Sequence, residues 1–168
     1  KQHKMNKQYL ALVAGRWPAR RDFVSARLDR YDAGNGERRV RVDPQGKVAR
    51  TRFGVRETFA GATLVEAEPI TGRTHQIRVH AAHAGHVLLG DDKYGTREGA
   101  RLGRELGLDR LFLHAASLTF PEPTSQRPVQ IRAPLDDALE TVLDKARRRA
   151  KLSEDETRAL LVELARER

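Results

Sequence analysis

The residues best suited to chemistry are concentrated in one ten-residue stretch, TGRTHQIRVH, which runs from Thr71 to His80. Val79 and the alanines that follow interleave with its polar side chains, so these cannot all lie on one solvated face. We therefore expect Arg78 to lie at or near the protein interior. A guanidinium buried there needs a carboxylate or phosphate partner, because an unpaired one would cost several kcal/mol. The residues alone leave open whether this partner is an ordinary structural acid or part of a functional site.

A short helix is the element that must position this stretch. Gly72 can supply a turn with positive φ, and Thr74 has the side chain of a helix N-cap. Beyond it an apolar face recurs at helical spacing, at Ile77, Ala81 and Ala84. Gly85 follows at the place where a C-terminal glycine ends many helices. The sequence therefore predicts a helix that starts near Thr74 and stops at Gly85.

Composition limits the class of protein. At 168 residues and 39% hydrophobic content, the chain is long enough for one domain with a buried core. The net charge of +9 and the pI near 10.4 favour a polyanionic partner. No apolar run approaches the length of a membrane span, and the absence of cysteine is compatible with the cytoplasm. The chain starts at Lys1 without a methionine, so we expect an internal start within a longer protein.

The order of predicted elements indicates an α+β fold, with a mostly antiparallel mixed sheet and few flanking helices. Alternation predicts half-buried strands around residues 40–42 and 49–56. Their outer faces carry Arg39, Arg41, Arg50, Arg52 and Arg56. If these strands are neighbours, their arginines could form a surface that follows a phosphate backbone; the alternative is a solvated sheet face.

The C-terminal part predicts two helices. The first is marked by apolar residues at helical spacing, at Leu135, Leu139, Val142, Leu143 and Ala146. Ser153 and Glu156 then form the S-x-x-E pattern of a capping box, which predicts the start of a second helix. We accordingly divide the chain into residues 1–150, which hold the main fold, and a charged helical tail at 151–168.

Histidines raise a metal hypothesis. The candidate ligands are His75, His80, His83, His86 and His114, with Asp91 or Asp92 as possible carboxylate partners. No HExxH or comparable spacing occurs, so we predict no metal site.

Three motifs together resemble a known family. TGRTHQIRVH, GHVLLGDDKYG and RLFLHAASLTF are similar to sequences of the RNA pseudouridine synthases of the RluA family, in the branch that acts on large-subunit ribosomal RNA. The resemblance runs from about Lys7 to Leu143 and also covers KQYLALVAGRW at the N-terminal end. It implies the pseudouridine synthase catalytic-domain fold with its N-terminal part missing, so that 1–150 is the C-terminal part of that domain. It also implies an RNA partner, no cofactor, and a cytoplasmic enzyme.

The resemblance assigns roles to individual residues. Tyr9 matches the family's active-site tyrosine, and Arg78 matches the arginine that pairs with the catalytic aspartate. The matching positions for RNA backbone or pocket contacts are Lys7, Arg73, His75, Gln76 and Lys93. Asp29 follows Tyr9, whereas the family's aspartate precedes it, so we expect the catalytic aspartate upstream of residue 1 and this segment alone to be inactive. The alternative is a non-catalytic RNA-binding or ribosome-assembly module with the same fold.

Overall fold

The computed structural model describes residues 5–34 and 36–166 and has the predicted α+β class. Eight strands and three helices follow one another along these residues: β1(Asn6–Ala14), β2(Phe23–Ser25), β3(Leu28–Asp32), β4(Arg38–Val42), β5(Arg50–Phe59), β6(Ala62–Pro69), α1(Gln76–His83), α2(Arg97–Glu105), β7(Leu113–Pro121), β8(Pro128–Arg132) and α3(Asp137–Arg166).

Most strands belong to one antiparallel sheet. Its six strands have the order β2-β5-β6-β1-β7-β8, while β3 and β4 form a separate two-stranded sheet. Tyr9 on the inner strand β1 lies opposite Ala67 on one side and Ala115 on the other. The register between β1 and β7 shifts between Gln8 and Tyr9, which is a β-bulge. Bulges are frequent beside active sites because they change the direction of a side chain.

Alternation along β1 separates two hydrophobic cores. Ala11 and Val13 face one side of the sheet, where they pack with Ile77 of α1. Leu12 faces the other side and packs with Leu139 and its neighbours on α3. Because successive side chains of a strand point to opposite faces, a single strand can contribute to both cores. The sheet thus has α1 on one face and α3 on the other, and α1 carries the predicted functional motif.

Of the two alternatives for the arginines, a surface on neighbouring strands does not form, because β4 and β5 lie in different sheets. Arg39 contacts Glu37 at 3.2 Å, and Arg41 contacts Asp43 at 3.3 Å. On β5, Arg52 lies 3.0 Å from Glu68, and Arg56 pairs with a glutamate opposite it on β6. Most of the arginines predicted to track phosphate are therefore paired with carboxylates of their own strands and neighbours.

The predicted second C-terminal helix is also wrong. α3 is continuous from Asp137 to Arg166, and Ser153 lies inside it, where its carbonyl accepts a hydrogen bond from the Thr157 hydroxyl. The S-x-x-E pattern therefore does not start a helix here. Leu139, Val142 and Leu143 are buried as expected, whereas Leu152 and Leu160 are exposed. The division at residue 150 remains a prediction. None of the described helices is long and apolar enough to cross a membrane.

Candidate active-site cleft

The helix α1 starts one residue later than predicted and in a different way. Its N-cap is His75, in the left-handed conformation with φ 51° and ψ 21°, and no side chain caps the helix. Thr74 is not the cap, since its hydroxyl accepts a hydrogen bond from Arg30 of β3. The positive φ expected at Gly72 is found instead at His75. A histidine in this region is strained, and such strain is often found at functional sites. Gly85 ends the helix as predicted, with φ 87°.

Arg78 projects from α1 onto a buried carboxylate. Its Nε lies 2.9 Å from Asp91 Oδ2, and its Nη2 lies 2.6 Å from Asp91 Oδ1. The Asp91 side chain is 1% exposed, and that of Arg78 is 11% exposed. Asp92 adds a looser contact of 3.4 Å and is 84% exposed. The burial of Arg78 is confirmed, and its partner within the described residues is a structural acid, which was one of the two possibilities left open by the sequence.

Asp91 is held by the loop that carries it. Its Oδ1 also accepts hydrogen bonds from the Lys93 amide at 2.9 Å and the Tyr94 amide at 3.0 Å. Burial would raise the pKa of Asp91, but these hydrogen bonds and those from Arg78 together keep it below its usual value. The loop turns tightly at Gly90, whose φ is 76° and where a Cβ would lie 2.0 Å from the Arg110 carbonyl oxygen. Only glycine fits this approach.

Tyr94 connects Arg78 to His75. The Arg78 guanidinium lies over the Tyr94 ring, 5.0 Å from its centroid. The Tyr94 hydroxyl accepts from the Val40 amide at 2.9 Å and lies 2.8 Å from His75 Nδ1. The phenol proton is thus available to His75 Nδ1, which favours the imidazole tautomer protonated on Nε2. Burial, and then the positive charges of Arg78 and Lys93, lower the pKa of His75 and keep the ring neutral.

Of these side chains, His75 and Arg78 border a cleft of about 910 Å³ on the α1 face of the sheet. Its walls come from the start of β1, the end of β6 with the segment that follows it (residues 69–73), the first turn of α1, and Leu111 with Leu113. Tyr9 and Arg78 both line it, although they are far apart in the chain. Lys7 and Arg73 are exposed and line the same cleft. Arg73 donates its Nε to the Val48 carbonyl at 3.1 Å, and neither cation is paired with a carboxylate of the described residues. A half-buried aromatic ring, a fixed guanidinium and two such cations suit a planar base attached to a phosphate backbone.

Two of the residues predicted to bind RNA have other contacts. Lys93 is absent from the lining of the cleft, and its Nζ lies 3.1 Å from Glu37 Oε1. Gln76 is 3% exposed, and both ends of its amide are occupied. Its Nε2 donates to the Arg50 carbonyl and the Thr51 hydroxyl, while its Oε1 accepts from Thr71 and the Arg73 amide. Gln76 therefore organises the wall of the cleft, and its amide has no hydrogen-bonding capacity left for RNA.

The sequence analysis missed Asp91 and Tyr94 as partners of Arg78. Asp91 was considered only as a possible metal ligand, and Tyr94 was quoted only as part of a motif. The available signal was an acid between two closely spaced glycines, Gly90 and Gly95, since such a loop can present backbone amides to a carboxylate. The partner lies 13 residues from Arg78, which is too far for a helical pairing rule to reveal it.

The candidate metal ligands do not converge in the described part of the chain, where no group of three such residues comes together. His80 contacts Thr51 and Ala26, and His86 contacts the Ala14 carbonyl. His114 contacts the Ala133 carbonyl at 2.8 Å. These rings serve hydrogen bonds between elements.

The chain is similar in sequence to proteins of one family. Residues 1–83 match the family model described as RNA pseudouridylate synthase. The chain is 50% identical over 145 residues to ribosomal large subunit pseudouridine synthase C of Escherichia coli K12, covering 85% of this chain and 46% of that protein. It is 46% identical to the protein of the same name from Haemophilus influenzae, covering 85% of this chain and 44% of the relative. The chain thus spans less than half the length of these relatives.

Solved structures show the same fold. Human RNA pseudouridylate synthase domain containing 1 superimposes with a TM-score of 0.63 at 30% identity, covering 78% of this chain and 55% of that one. Human RNA pseudouridylate synthase domain containing 4 gives a TM-score of 0.64 at 24% identity, with 85% and 62% coverage, and supports the fold alone. The sequence matches and the shared fold together show that this chain belongs to the RNA pseudouridylate synthase family, in the RluA branch, where it is similar in sequence to proteins named ribosomal large subunit pseudouridine synthase C.

Proposed function

We propose that this chain is the part of an RNA pseudouridine synthase that holds the target base, and that the full-length protein converts specific uridines of large-subunit ribosomal RNA to pseudouridine. The observation that carries the proposal is the cleft shared by Tyr9 and Arg78. Its chemistry matches what the family resemblance requires of these two positions. The names of the curated relatives, which contain large-subunit pseudouridine synthase, support the substrate class.

The proposed reaction is an isomerisation. The bond between ribose C1′ and uracil N1 breaks, the detached base turns, and C1′ is joined to C5, which loses its proton while N1 gains one. The base must first leave its stack, which costs a few kcal/mol. Tyr9 would pack on the flipped base. Its phenol oxygen would take the proton from C5 as its own proton passes to water, and N1 would gain a proton from water. The atoms balance without an oxidant or a cofactor, so we propose that the enzyme uses none. We also propose that it works in the cytoplasm, because ribosomal RNA is its proposed substrate.

The catalytic carboxylate is expected from outside the described residues. No aspartate or glutamate is among the described residues that line the cleft. Asp91 is unsuited to attack because both oxygens are engaged by Arg78 and backbone amides. Asp29 lies on β3, 3.8 Å from Arg41, and is not part of the cleft lining. Arg78 Nη1 has no hydrogen-bond partner among the described residues, so this edge of the guanidinium is available to an incoming carboxylate.

The proposal is tested in the full-length protein by Arg78→Ala. Pseudouridine formation in large-subunit ribosomal RNA, taken from cells that lack the gene, should be abolished. RNA affinity should be largely retained, because phosphate contacts are shared among many basic residues. Arg104→Ala is the matched control, since Arg104 is exposed on α2 and is not part of the cleft lining. Unchanged turnover in Arg78→Ala, or a wild-type protein that forms no pseudouridine, contradicts the proposal.

A further inference from the structure

Thr51 makes a buried contact with α1 that the proposed reaction does not use directly. Thr51 lies on β5 and is 0% exposed. Its Oγ1 is 2.8 Å from His80 Nδ1 and 3.0 Å from Gln76 Nε2. One hydroxyl therefore contacts two side chains of the same helix, which are one turn apart and share a face.

The contact of His80 with the Ala26 carbonyl determines which groups donate and which accept in these hydrogen bonds. His80 Nε2 lies 3.0 Å from the Ala26 carbonyl oxygen, which can only accept, so Nε2 carries the proton. His80 Nδ1 is then an acceptor, and the Thr51 hydroxyl must donate to it. The same hydroxyl oxygen accepts from Gln76. Burial lowers the pKa of His80, which agrees with the neutral ring that this chain of hydrogen bonds requires.

Arg78 projects from the opposite side of α1. At 100° per residue, the Arg78 side chain lies about 160° around the helix axis from the side chain of Gln76 and, in the other direction, about 160° from that of His80. The other buried side chains of the helix are apolar: Ile77 and Ala81 pack in the α1-side core, and Val79 packs with Val40. Apolar contacts have no preferred direction. They therefore resist separation of the helix from the sheet better than they resist rotation of the helix about its own axis. Directional contacts come from Gln76 and His80, which reach the Arg50 and Ala26 carbonyls, and the Thr51 hydroxyl is the one group that contacts both side chains.

A small rotation would matter at the guanidinium. Side-chain ends lie about 6 Å from a helix axis, so a rotation of about 10° would move the Arg78 guanidinium by about 1 Å. A displacement of about 1 Å in a catalytic group can lower a rate by about 100-fold. The rotation of α1 is therefore a quantity that the enzyme has to control.

We propose that Thr51 is a positioning residue that fixes the rotation of α1, through Gln76 and His80, and thereby holds Arg78 in its place in the cleft. This rests on the proposed function, since it assumes that Arg78 acts on the reaction. Thr51 acts through the helix and is not expected to touch RNA, because it is fully buried.

The test is Thr51→Val in the full-length protein, with large-subunit ribosomal RNA as substrate. Valine keeps the shape of threonine but leaves His80 Nδ1 without its donor and removes one of the two acceptors of the Gln76 Nε2 group, which keeps the Arg50 carbonyl. We expect kcat to fall about 10- to 100-fold, while KM and the RNA dissociation constant change by less than about 2-fold because no RNA contact is removed. Thr51→Ser restores a hydroxyl and should recover most of kcat. Thr51→Cys, with a weaker donor, should fall between the two and serves if the valine variant does not fold.

Thr63→Val is the matched control for general loss of stability. Thr63 is also 0% exposed, on the adjacent strand β6, and its hydroxyl joins the Gly15 carbonyl to the Trp17 amide instead of α1. The melting temperature of the Thr63→Val variant should fall as much as that of Thr51→Val, while its kcat should stay unchanged. Equal kcat values for the two valine variants, or a Thr51→Cys variant with the wild-type kcat, would overturn the positioning role. An inactive wild-type protein would instead refute the proposed function.

Discussion

Asp91→Asn is expected to destabilise the chain far more than Asp92→Asn, although both remove one negative charge near Arg78. Asp91 accepts four hydrogen bonds, two from Arg78 and two from backbone amides, with its side chain 1% exposed. Asparagine would retain one acceptor oxygen but would present an NH₂ group to an N–H donor. Arg78, whose side chain is only 11% exposed, would then keep only the looser ionic contact with the exposed Asp92.

The size of the effect follows from this burial. Removing one partner of a buried ion pair costs about 3–5 kcal/mol, and the lower value applies here because Arg78 borders an open cleft. For Asp92, 84% exposed and 3.4 Å from Arg78, the loss should stay below about 0.5 kcal/mol. Urea unfolding of both variants measures the difference, with the slope against urea unchanged. Equal midpoints for the two variants would refute the assignment of Asp91 as the structural partner.

The same comparison has a pH signature. Because the folded-state pKa of Asp91 is lowered, its ionised form contributes stability above the unfolded pKa of about 3.9, and this contribution is lost as pH falls through the lower folded value. The stability difference between wild type and Asp91→Asn should therefore be constant from about pH 8 to pH 5 and shrink below about pH 4. A difference that stays constant down to pH 2 would contradict the ion-pair explanation.

Three further outcomes are expected. Tyr9→Phe keeps the ring in the cleft, so RNA affinity should be retained. The single-turnover rate should fall about 100-fold or more if the hydroxyl transfers a proton. A wild-type rate would mean that the ring only stacks on the base. Arg78→Lys in the full-length enzyme should be nearly as inactive as Arg78→Ala in the same pseudouridine assay, because lysine lacks the planar fork. Leu139→Ala, in the α3-side core, should cost about 2–5 kcal/mol in urea unfolding, whereas Leu152→Ala, on the exposed half of the same helix, should stay within about 0.5 kcal/mol.

Apolar repeats in the sequence predicted several elements, because the buried residues of a helix or a strand recur at the period of that element. The strands around residues 40–42 and 49–56, the helix that ends at Gly85 and the buried face of α3 were all visible as apolar repeats. The start of α1 was missed for a non-local reason. Thr74 has the correct side chain for an N-cap, but Arg30 from the two-stranded sheet occupies its hydroxyl, and His75 takes the left-handed position. No pattern within the motif reveals a competitor 44 residues away.

The site itself was only half predictable. The motif identified Arg78, and the family resemblance assigned Tyr9 to the same site. Neither indicated that Asp91 binds the Arg78 guanidinium. That contact depends on the tight loop between Gly90 and Gly95, where the backbone passes within hydrogen-bonding distance of the Asp91 carboxylate. Loop geometry of this kind is set by packing against the Arg110 carbonyl. It cannot be read from hydrophobic period, which is the signal that single sequences carry best.

The Asp91 contact changes the physical role that Arg78 can have. A guanidinium paired with one carboxylate has little net charge to offer a second, so it would lower the pKa of an incoming catalytic aspartate less than a free arginine would. What it offers is direction: Nε and Nη2 are held by Asp91, and the Tyr94 ring lies beneath the guanidinium plane. The remaining edge at Nη1 is thereby fixed before any substrate binds. Geometry is then the main contribution of Arg78, and a lysine, with its charge on a flexible stem, cannot supply it.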